Sequence, residues 1–156
     1  MASVIPVTEQ QFRVRNPEYA AEVERVFDRA PFIRDLGVEL LEFAPGSCET
    51  RLILKDKHLQ QDGYVHAGVQ ATIADHTAGT AGATLLAAGQ LILTAEFKIN
   101  LLRAAKGDTL YCKARVIKPG GQLIVAESEV YCESDRGCEL VSKATVTLAV
   151  VDKPRK

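Results

Sequence analysis

The segment HAGVQATIADHTAGTAGATLLAA, residues 66–88, decides the fold of this chain. It consists mainly of Ala, Gly and Thr, has few large side chains and contains no proline. Its length is typical of a helix rather than a strand, yet Gly and Thr are poor helix formers, so contacts with the rest of the protein must stabilise it. We therefore predict one long central helix over about residues 67–87, with a sheet wrapped closely around it.

A shorter helix is predicted ahead of this segment. Asn16 followed by Pro17 is typical of a helix cap and first turn, and apolar residues then recur at helical spacing. This pattern indicates an N-terminal amphipathic helix over about residues 17–29. Between the two helices, residues 37–54 alternate between polar and apolar around a Pro-Gly turn, which indicates a strand hairpin.

The chain after the central helix is nearly all strand-like, with alternating or β-rich stretches separated by turns. These stretches are residues 91–102, 110–116, 123–133 and 138–151. The order of helix, two strands, long helix and four strands fits the α+β class, with a six-stranded antiparallel sheet wrapped around the central helix. No repeat or linker divides the chain, so we expect a single domain over residues 1–156, with a frayed charged tail at residues 152–156.

Composition argues against several classes of function. Of the 156 residues, 47% are hydrophobic and 25% are charged, which is ordinary for a globular domain. No apolar run is long enough to span a membrane and no signal-peptide pattern is visible, so we expect a cytoplasmic protein without a membrane partner. The net charge of −1 and the scattered basic residues argue against nucleic acid. The four Cys and three His do not cluster as ligands, so we predict neither a metal site nor a cofactor.

Two features of the central segment could carry chemistry. The first is its start, His66-Ala67-Gly68, where free amides and the helix dipole favour a developing oxyanion; the alternative is that small residues only let the helix approach the sheet. The second is Asp75, which has no neighbouring cation. Burial would raise its pKa towards the range of a useful general base or nucleophile, whereas the alternative is an exposed carboxylate that pairs with His76.

The spacing of these two features predicts an oligomer. Eight positions separate Ala67 from Asp75, which puts them about 12 Å apart along one helix, too far to act on the same carbonyl group. A second copy with its helix antiparallel to the first would bring the two features together and would also cover an edge strand. We therefore expect a homo-oligomer, either a homodimer or a homotetramer, whose catalytic groups converge across an interface.

Two motifs carry a resemblance to a known family. Gly63, His66-Ala67-Gly68 and Asp75, nine positions after the His, form the first, and residues 101–108, LLRAAKGD, form the second. Together they resemble the hotdog-fold thioesterases of the phenylacetate-pathway type, whose motifs are an Asn and a Gly before a His-Gly-Gly helix start, an acidic residue at the same spacing, and a hydrophobic-Arg-Pro-Ala-x-Gly-Asp turn. Ala67 and Ala104 depart from the usual Gly and Pro. The resemblance covers roughly residues 32–151.

This resemblance implies the hotdog fold and the hydrolysis of acyl-CoA thioesters to the free acid and CoA. Asp75 would activate water or attack the thioester carbon, and the amide of Ala67, with that of Gly68, would hold the carbonyl oxygen. His66 would help to orient the substrate. The departure at Ala67 is tolerable because that contact uses the backbone N–H.

Four further residues receive roles by position. Gln60 stands six positions before the His, where the family usually has an Asn that contacts the nucleophile or the thioester. Thr94 matches a Ser or Thr that helps to position the water. Arg103 and Lys106 could meet the phosphates of CoA, although two cations beside a turn also suit a solvated rim.

Other functions remain open at this point. A hotdog hydratase or dehydratase would use a His with an acidic partner, but its longer His-containing helix start with prolines is not visible. A non-catalytic acyl-thioester binding protein would keep the pocket and lose the carboxylate, which Asp75 argues against. A pure assembly module would tolerate any change at Asp75.

Overall fold

The computed structural model describes residues 11–154, and its elements follow the predicted order with one additional short helix. The elements are α1 (Tyr19–Asp28), α2 (Pro31–Leu36), β1 (Val38–Ala44), β2 (Ser47–Ile53), a 3-10 turn (Asp56–His58), α3 (Ala67–Ala83), β3 (Gln90–Leu101), β4 (Thr109–Lys118), β5 (Leu123–Ser134) and β6 (Gly137–Asp152). Residues 1–10 and 155–156 lie outside the described part of the chain. The α2 helix was not predicted; it starts at a proline in its first turn and ends at Gly37 in the left-handed region.

The six strands form one antiparallel sheet in the order β1-β2-β4-β5-β6-β3. The strands β1 and β3 are its edges, and α3 packs against β2, β4, β5 and β6 across the middle of the sheet. Inward-facing positions of β4 and β5 alternate with exposed or half-buried ones, as the sequence pattern indicated. The predicted hotdog arrangement, a six-stranded antiparallel sheet around one long central helix, is confirmed.

The central helix is stabilised by tertiary contacts, as its composition predicted. At Gly82, a Cβ atom would lie 2.6 Å from Cδ1 of the fully buried Leu148, so any larger residue would force that side chain of β6 to move. On the β2 side, the buried hydroxyls of Thr50 and Thr77 are 2.7 Å apart and hydrogen-bonded. Small residues and paired hydroxyls therefore replace the large apolar side chains of an ordinary core helix.

The helix α3 begins at Ala67, as predicted, but ends at Ala83 rather than near residue 87. Its end coincides with Thr84, whose side chain accepts a 2.8 Å hydrogen bond from the Gly46 N–H in the β1–β2 turn. The backbone then continues through a tighter turn, in which the Leu85 N–H bonds to the Gly82 carbonyl. No helix in residues 11–154 is both long and apolar enough to cross a membrane.

The turn at residues 101–108 is held against two parts of the fold, the strand β5 and the segment before α3. A Cβ atom at Gly107 would collide with the Glu133 carbonyl, so this turn requires glycine. The Asp108 N–H donates to that same carbonyl at 2.8 Å. On the other side, the Val65 N–H donates to the Ala105 carbonyl at 2.9 Å, which holds the turn beside the start of α3.

The C-terminal tail was predicted to fray from residue 152, and this is wrong for its first residues. Asp152 is the last residue of β6 and pairs with Gln90. The Lys153 N–H donates to the Gly89 carbonyl at 2.8 Å, and its ammonium group pairs with Glu22 on α1. Contacts with residues that are distant in sequence therefore order this segment, and local sequence patterns do not reveal such contacts. Residues 155–156 of the predicted tail lie outside the described part of the chain.

Candidate active site

Asp75 lies near the middle of α3, half-buried, and its carboxylate has one defined partner. The Thr94 hydroxyl donates a 2.8 Å hydrogen bond to Asp75 Oδ1. Burial raises the pKa of Asp75, and the hydrogen bond from Thr94 offsets part of that shift. Asp75 forms no salt bridge with the part of the chain that the structure describes, so it is neither the exposed carboxylate nor the His76 pair of the alternative interpretation.

A bulge in the edge strand β3 lies next to Thr94. Thr94 pairs with Leu148 and Glu96 pairs with Thr147, so Ala95 is an extra residue without a partner on β6. Bulges re-aim side chains and are common beside active sites. Here the bulge follows directly after the residue that contacts the helix.

His76 follows Asp75 and is held neutral by its surroundings. Burial lowers the pKa of His76 to about 4. Its ring lies against the Phe27 ring of α1, with centroids 4.9 Å apart, and its Nε2 atom has no hydrogen-bond partner among residues 11–154. His76 therefore forms part of the contact between α1 and α3.

The start of α3 is capped by its own histidine. His66 Nδ1 accepts a 2.9 Å hydrogen bond from the Gly68 N–H, so the neutral ring carries its proton on Nε2. Of the two amides predicted to form an oxyanion hole, that of Gly68 is thus already engaged. The Ala67 N–H forms no hydrogen bond with the described residues, and all three residues are exposed.

Gln60 has a local role within the chain. Its side-chain carbonyl accepts a hydrogen bond from the Asp62 N–H, and its backbone N–H donates to the Tyr64 carbonyl at 2.8 Å. These bonds close the loop before α3. Gln60 forms no hydrogen bond with Asp75 in the described chain, so the polar contact implied by the resemblance is not made within one copy.

The two predicted phosphate-binding cations lie in the turn beside the helix start, and both are exposed. Lys106 Nζ lies 5.9 Å from the centroid of the Tyr64 ring. Arg103 Nη1 donates a 3.0 Å hydrogen bond to the Leu140 carbonyl. The hydrogen bond between Val65 and Ala105 brings this turn, and with it both cations, to the side of the molecule where α3 begins.

The predicted residues thus form two separate groups in one chain. Asp75 and Thr94 form the first, and the second contains His66, Ala67 and Gln60 at the helix start. Because α3 is continuous between them, the separation of about 12 Å along the helix axis holds in the structure.

A cavity of about 450 Å³ opens beside the first group. It is bounded by α1, the middle and end of α3, and the start of β3, and both Asp75 and Thr94 line it. Gly79, one helical turn after Asp75, also lines it, and a Cβ atom there would meet nothing within 4 Å. Sequence reasoning missed the contribution of α1, although the apolar spacing of its Val23 and Phe27 signals a helix face that must cover something.

Comparisons with known proteins agree on one protein family. The model of the thioesterase superfamily matches residues 62–139, a range that includes the helix start, Asp75 and Thr94. Among curated proteins, 1,4-dihydroxy-2-naphthoyl-CoA hydrolase from Listeria monocytogenes is 25% identical over 118 residues, covering 76% of this chain and 94% of that protein.

Two solved structures show the same architecture. A thioesterase family protein from Silicibacter pomeroyi superposes with a TM-score of 0.84 at 33% sequence identity, covering 86% of this chain and 98% of that one. The PaaI protein of the phenylacetic acid degradation operon of E. coli superposes with a TM-score of 0.76 at 16% identity, covering 89% and 97%. At that identity, the likeness to PaaI concerns the fold alone.

Proposed function

Because the chain belongs to the thioesterase superfamily, we propose that it hydrolyses acyl-CoA thioesters to the free acid and CoA. The observation that carries the proposal is the half-buried Asp75 carboxylate, which Thr94 holds at the wall of a mostly apolar cavity. The CoA-thioester hydrolase from Listeria, among the relatives, supports this class of substrate.

Asp75 is the reacting carboxylate in this proposal. Thr94 occupies Oδ1, which leaves Oδ2 to accept a proton from water as the water oxygen attacks the thioester carbon. Collapse of the tetrahedral intermediate breaks the C–S bond and releases the CoA thiolate, which takes up a proton. Attack by Asp75 itself, followed by hydrolysis of the resulting anhydride, gives the same products.

The oxyanion of the intermediate is held by the Ala67 N–H. This amide is free of partners in the described chain and lies at the positive end of the α3 dipole. The Gly68 amide, held by His66, is left out of this role. The Nε2–H of His66 remains available to the substrate.

A second copy of the chain completes the site. Since Ala67 and Asp75 of one helix are about 12 Å apart, the two groups come from different copies with antiparallel α3 helices. The edge strand β3 supports such pairing, because its Leu93 and Phe97 side chains are 59% and 42% exposed. A homodimer with two sites is the smallest assembly that meets this need, and a homotetramer of two such dimers meets it as well.

The head of CoA lies, in this proposal, over the turn at residues 101–108. Arg103 and Lys106 are exposed there beside the helix start, within reach of the side from which a thioester would approach Ala67. Their charges would pair with phosphate groups of CoA. His66 and Gln60 would border the thioester on the same side.

A hydrolysis screen tests the proposed function. Short, medium, long and aromatic acyl-CoA esters are incubated with the protein, and the released thiol is measured. We expect the parent protein to hydrolyse at least one of these esters and the Asp75→Asn variant to lose this activity. Tight binding of acyl-CoA without turnover by the parent protein would instead identify a binding protein and overturn the proposal.

A further inference from the structure

We infer that the acyl group which this protein accepts is a linear, apolar chain of medium length, about ten carbons, that lies between α1 and α3 with its thioester end at Asp75. The inference rests on the proposed thioester hydrolysis and goes beyond it by naming the acyl class. It follows from the direction, length and lining of the 450 Å³ cavity.

Two contacts fix the direction of the cavity. At one end, the Phe27 ring of α1 lies against His76, the neighbour of Asp75 on α3. At the other end, Glu22 of α1 pairs with Lys153, whose N–H is bonded to the Gly89 carbonyl just before β3. The cavity therefore runs from the carboxylate along α3 towards the beginning of β3, with α1 above it.

Two independent distances give its length. Along α3, the eight positions from Asp75 to Ala83 span about 12 Å. Along β3, the four positions from Thr94 back to Gln90 span about 13 Å. Because a zigzag hydrocarbon chain with C–C bonds of about 1.5 Å needs about ten carbons to cover this distance, a medium-length chain reaches from the reacting end to the far end.

Small residues keep the floor of the cavity open. Asp75, Gly79 and Ala83 are spaced by four positions and so share one face of α3. Gly79 has no atom within 4 Å of its Cβ position, although glycine inside a helix costs stability. Packing within the protein therefore does not explain glycine at this position. An acyl chain that runs from Asp75 along the helix does explain it, because the chain would pass over Gly79.

The lining separates an apolar channel from a charged rim. The apolar side chains on its walls include Val23, Val26, Phe27, Leu86, Leu91 and Ile92. The far end carries the ion pair of Glu22 and Lys153, and hydrogen bonds from Arg25 and Lys153 hold the pKa of Glu22 down at about 2. A longer chain would have to enter this charged rim, and a short aromatic acyl group would leave the far half of the channel unfilled.

Binding of non-hydrolysable thioethers tests the inference without depending on turnover. Alkyl-CoA thioethers from butyl to hexadecyl, and phenethyl-CoA thioether, are titrated calorimetrically into the native assembly. Affinity is expected to rise about fourfold for each added methylene until the channel is full, near decyl, and then to level off. Tightest binding of the phenethyl compound, or affinity independent of chain length, would overturn the inference.

Two variants locate the chain. Ala83→Leu and Ala87→Leu add bulk at the far end of the channel, so the plateau should move to shorter chains and the preference for decyl over butyl should fall at least about tenfold. Ala21→Leu adds the same bulk on an exposed position of α1 that does not line the cavity, and should leave the series unchanged. A plateau at decyl in all three folded variants would contradict the assignment.

The thioether series, together with the matching acyl-CoA esters, distinguishes failure of the proposed acyl channel from failure of the proposed hydrolase. A chain-length series as described, without hydrolysis of the matching decanoyl-CoA by the native protein, would refute the proposed hydrolase and support the channel. Rapid hydrolysis with the highest kcat/KM for aromatic esters, unaffected by Ala83→Leu, would support the hydrolase and refute the channel.

Discussion

Thr94 on the edge strand β3 donates a 2.8 Å hydrogen bond to Asp75 on the central helix, which ties one edge of the sheet to that helix. The strand is bulged immediately after this residue. The position of the carboxylate thus depends on a contact between residues nineteen positions apart. Burial raises the pKa of Asp75, which is the base in the proposed mechanism, and this hydrogen bond lowers it.

Loss of the Thr94 hydroxyl should shift the pH dependence of hydrolysis. A general base is active above its pKa, so kcat/KM falls as the pH drops through the pKa of Asp75. Thr94→Ala removes the hydrogen bond that lowers this pKa, so the acidic limb should move to higher pH and kcat should fall about tenfold. Thr94→Ser keeps the hydroxyl and should restore both; pH profiles of the three proteins that coincide would refute a positioning role.

His76 should make the fold sensitive to acid. Its pKa is about 4 in the folded protein against an ordinary value of 6.5, so the unfolded chain binds a proton more readily. The contribution of neutral His76 is fully present above pH 6.5 and is lost as the pH falls towards 4, a change of about 3 kcal/mol in the free energy of unfolding.

Urea unfolding of the parent and of His76→Leu, from pH 7.5 to pH 4, measures this effect. The variant should lose about 3 kcal/mol less than the parent over that range. Because the raised pKa of Asp75 acts in both proteins, and with the opposite sign, the difference between the two curves isolates His76. Parallel curves would show that protonation of His76 is not coupled to folding.

Two glycines of α3 should respond oppositely to the same substitution. Gly79→Ala places a methyl group in open space and removes helix-interior flexibility, so the free energy of unfolding should rise by about 0.5–1 kcal/mol. Gly82→Ala places it 2.6 Å from the fully buried Leu148 and should be destabilising. Denaturant unfolding checks the signs; two stabilised variants would contradict the close approach of α3 to β6.

The Gly79→Ala protein should also lose activity despite its greater stability. The added methyl narrows the channel directly beside Asp75, so kcat/KM for medium-chain esters should fall relative to the parent. An unchanged kcat/KM would show that the acyl chain does not pass Gly79.

Local patterns were sufficient to predict most of the elements. The start of α3 at Ala67 and the six strands follow from composition and alternation, which nearby residues determine. The end of α3 was wrong because the contact of Thr84 with Gly46 brings together residues that are distant in sequence. The pairing of Asp152 with Gln90 at the predicted frayed tail has the same cause.

The candidate site was only partly accessible from sequence. The motif spacing pointed to Asp75 and the family resemblance pointed to Thr94, and a hydrogen bond joins the two side chains in the structure. The sequence could not show that the Gly68 N–H donates a hydrogen bond to His66, because this bond depends on the orientation of the imidazole ring. Nor could it show the cavity, which exists only where α1 folds back over α3.

Removal of the Ala67 N–H should test whether a second copy of the chain supplies the group that holds the oxyanion. Ala67 is the first residue of α3, where proline is tolerated, and the extended backbone of His66 suits a following proline. Ala67→Pro deletes this N–H at an exposed position that accommodates the proline ring, so it should abolish hydrolysis while the melting temperature stays close to that of the parent.

Mixing this protein with Asp75→Asn, after dissociation and reassembly, should restore hydrolysis. A mixed dimer contains one site in which both the amide and the carboxylate are intact. A mixture as inactive as its two components, with mixed dimers demonstrated by mass, would place both groups in the same copy or in no shared site.

The most direct test of the account is the turnover of decanoyl-CoA by Asp75→Asn, measured together with melting temperature and oligomer mass on the same samples. Hydrolysis should fall at least about a hundredfold, because the variant cannot accept a proton or attack the thioester. Stability should stay the same or rise, because a partly desolvated charge is removed from a helix interior. A folded, assembled Asp75→Asn protein that hydrolyses as fast as the parent would contradict the assignment of Asp75 as the reacting carboxylate.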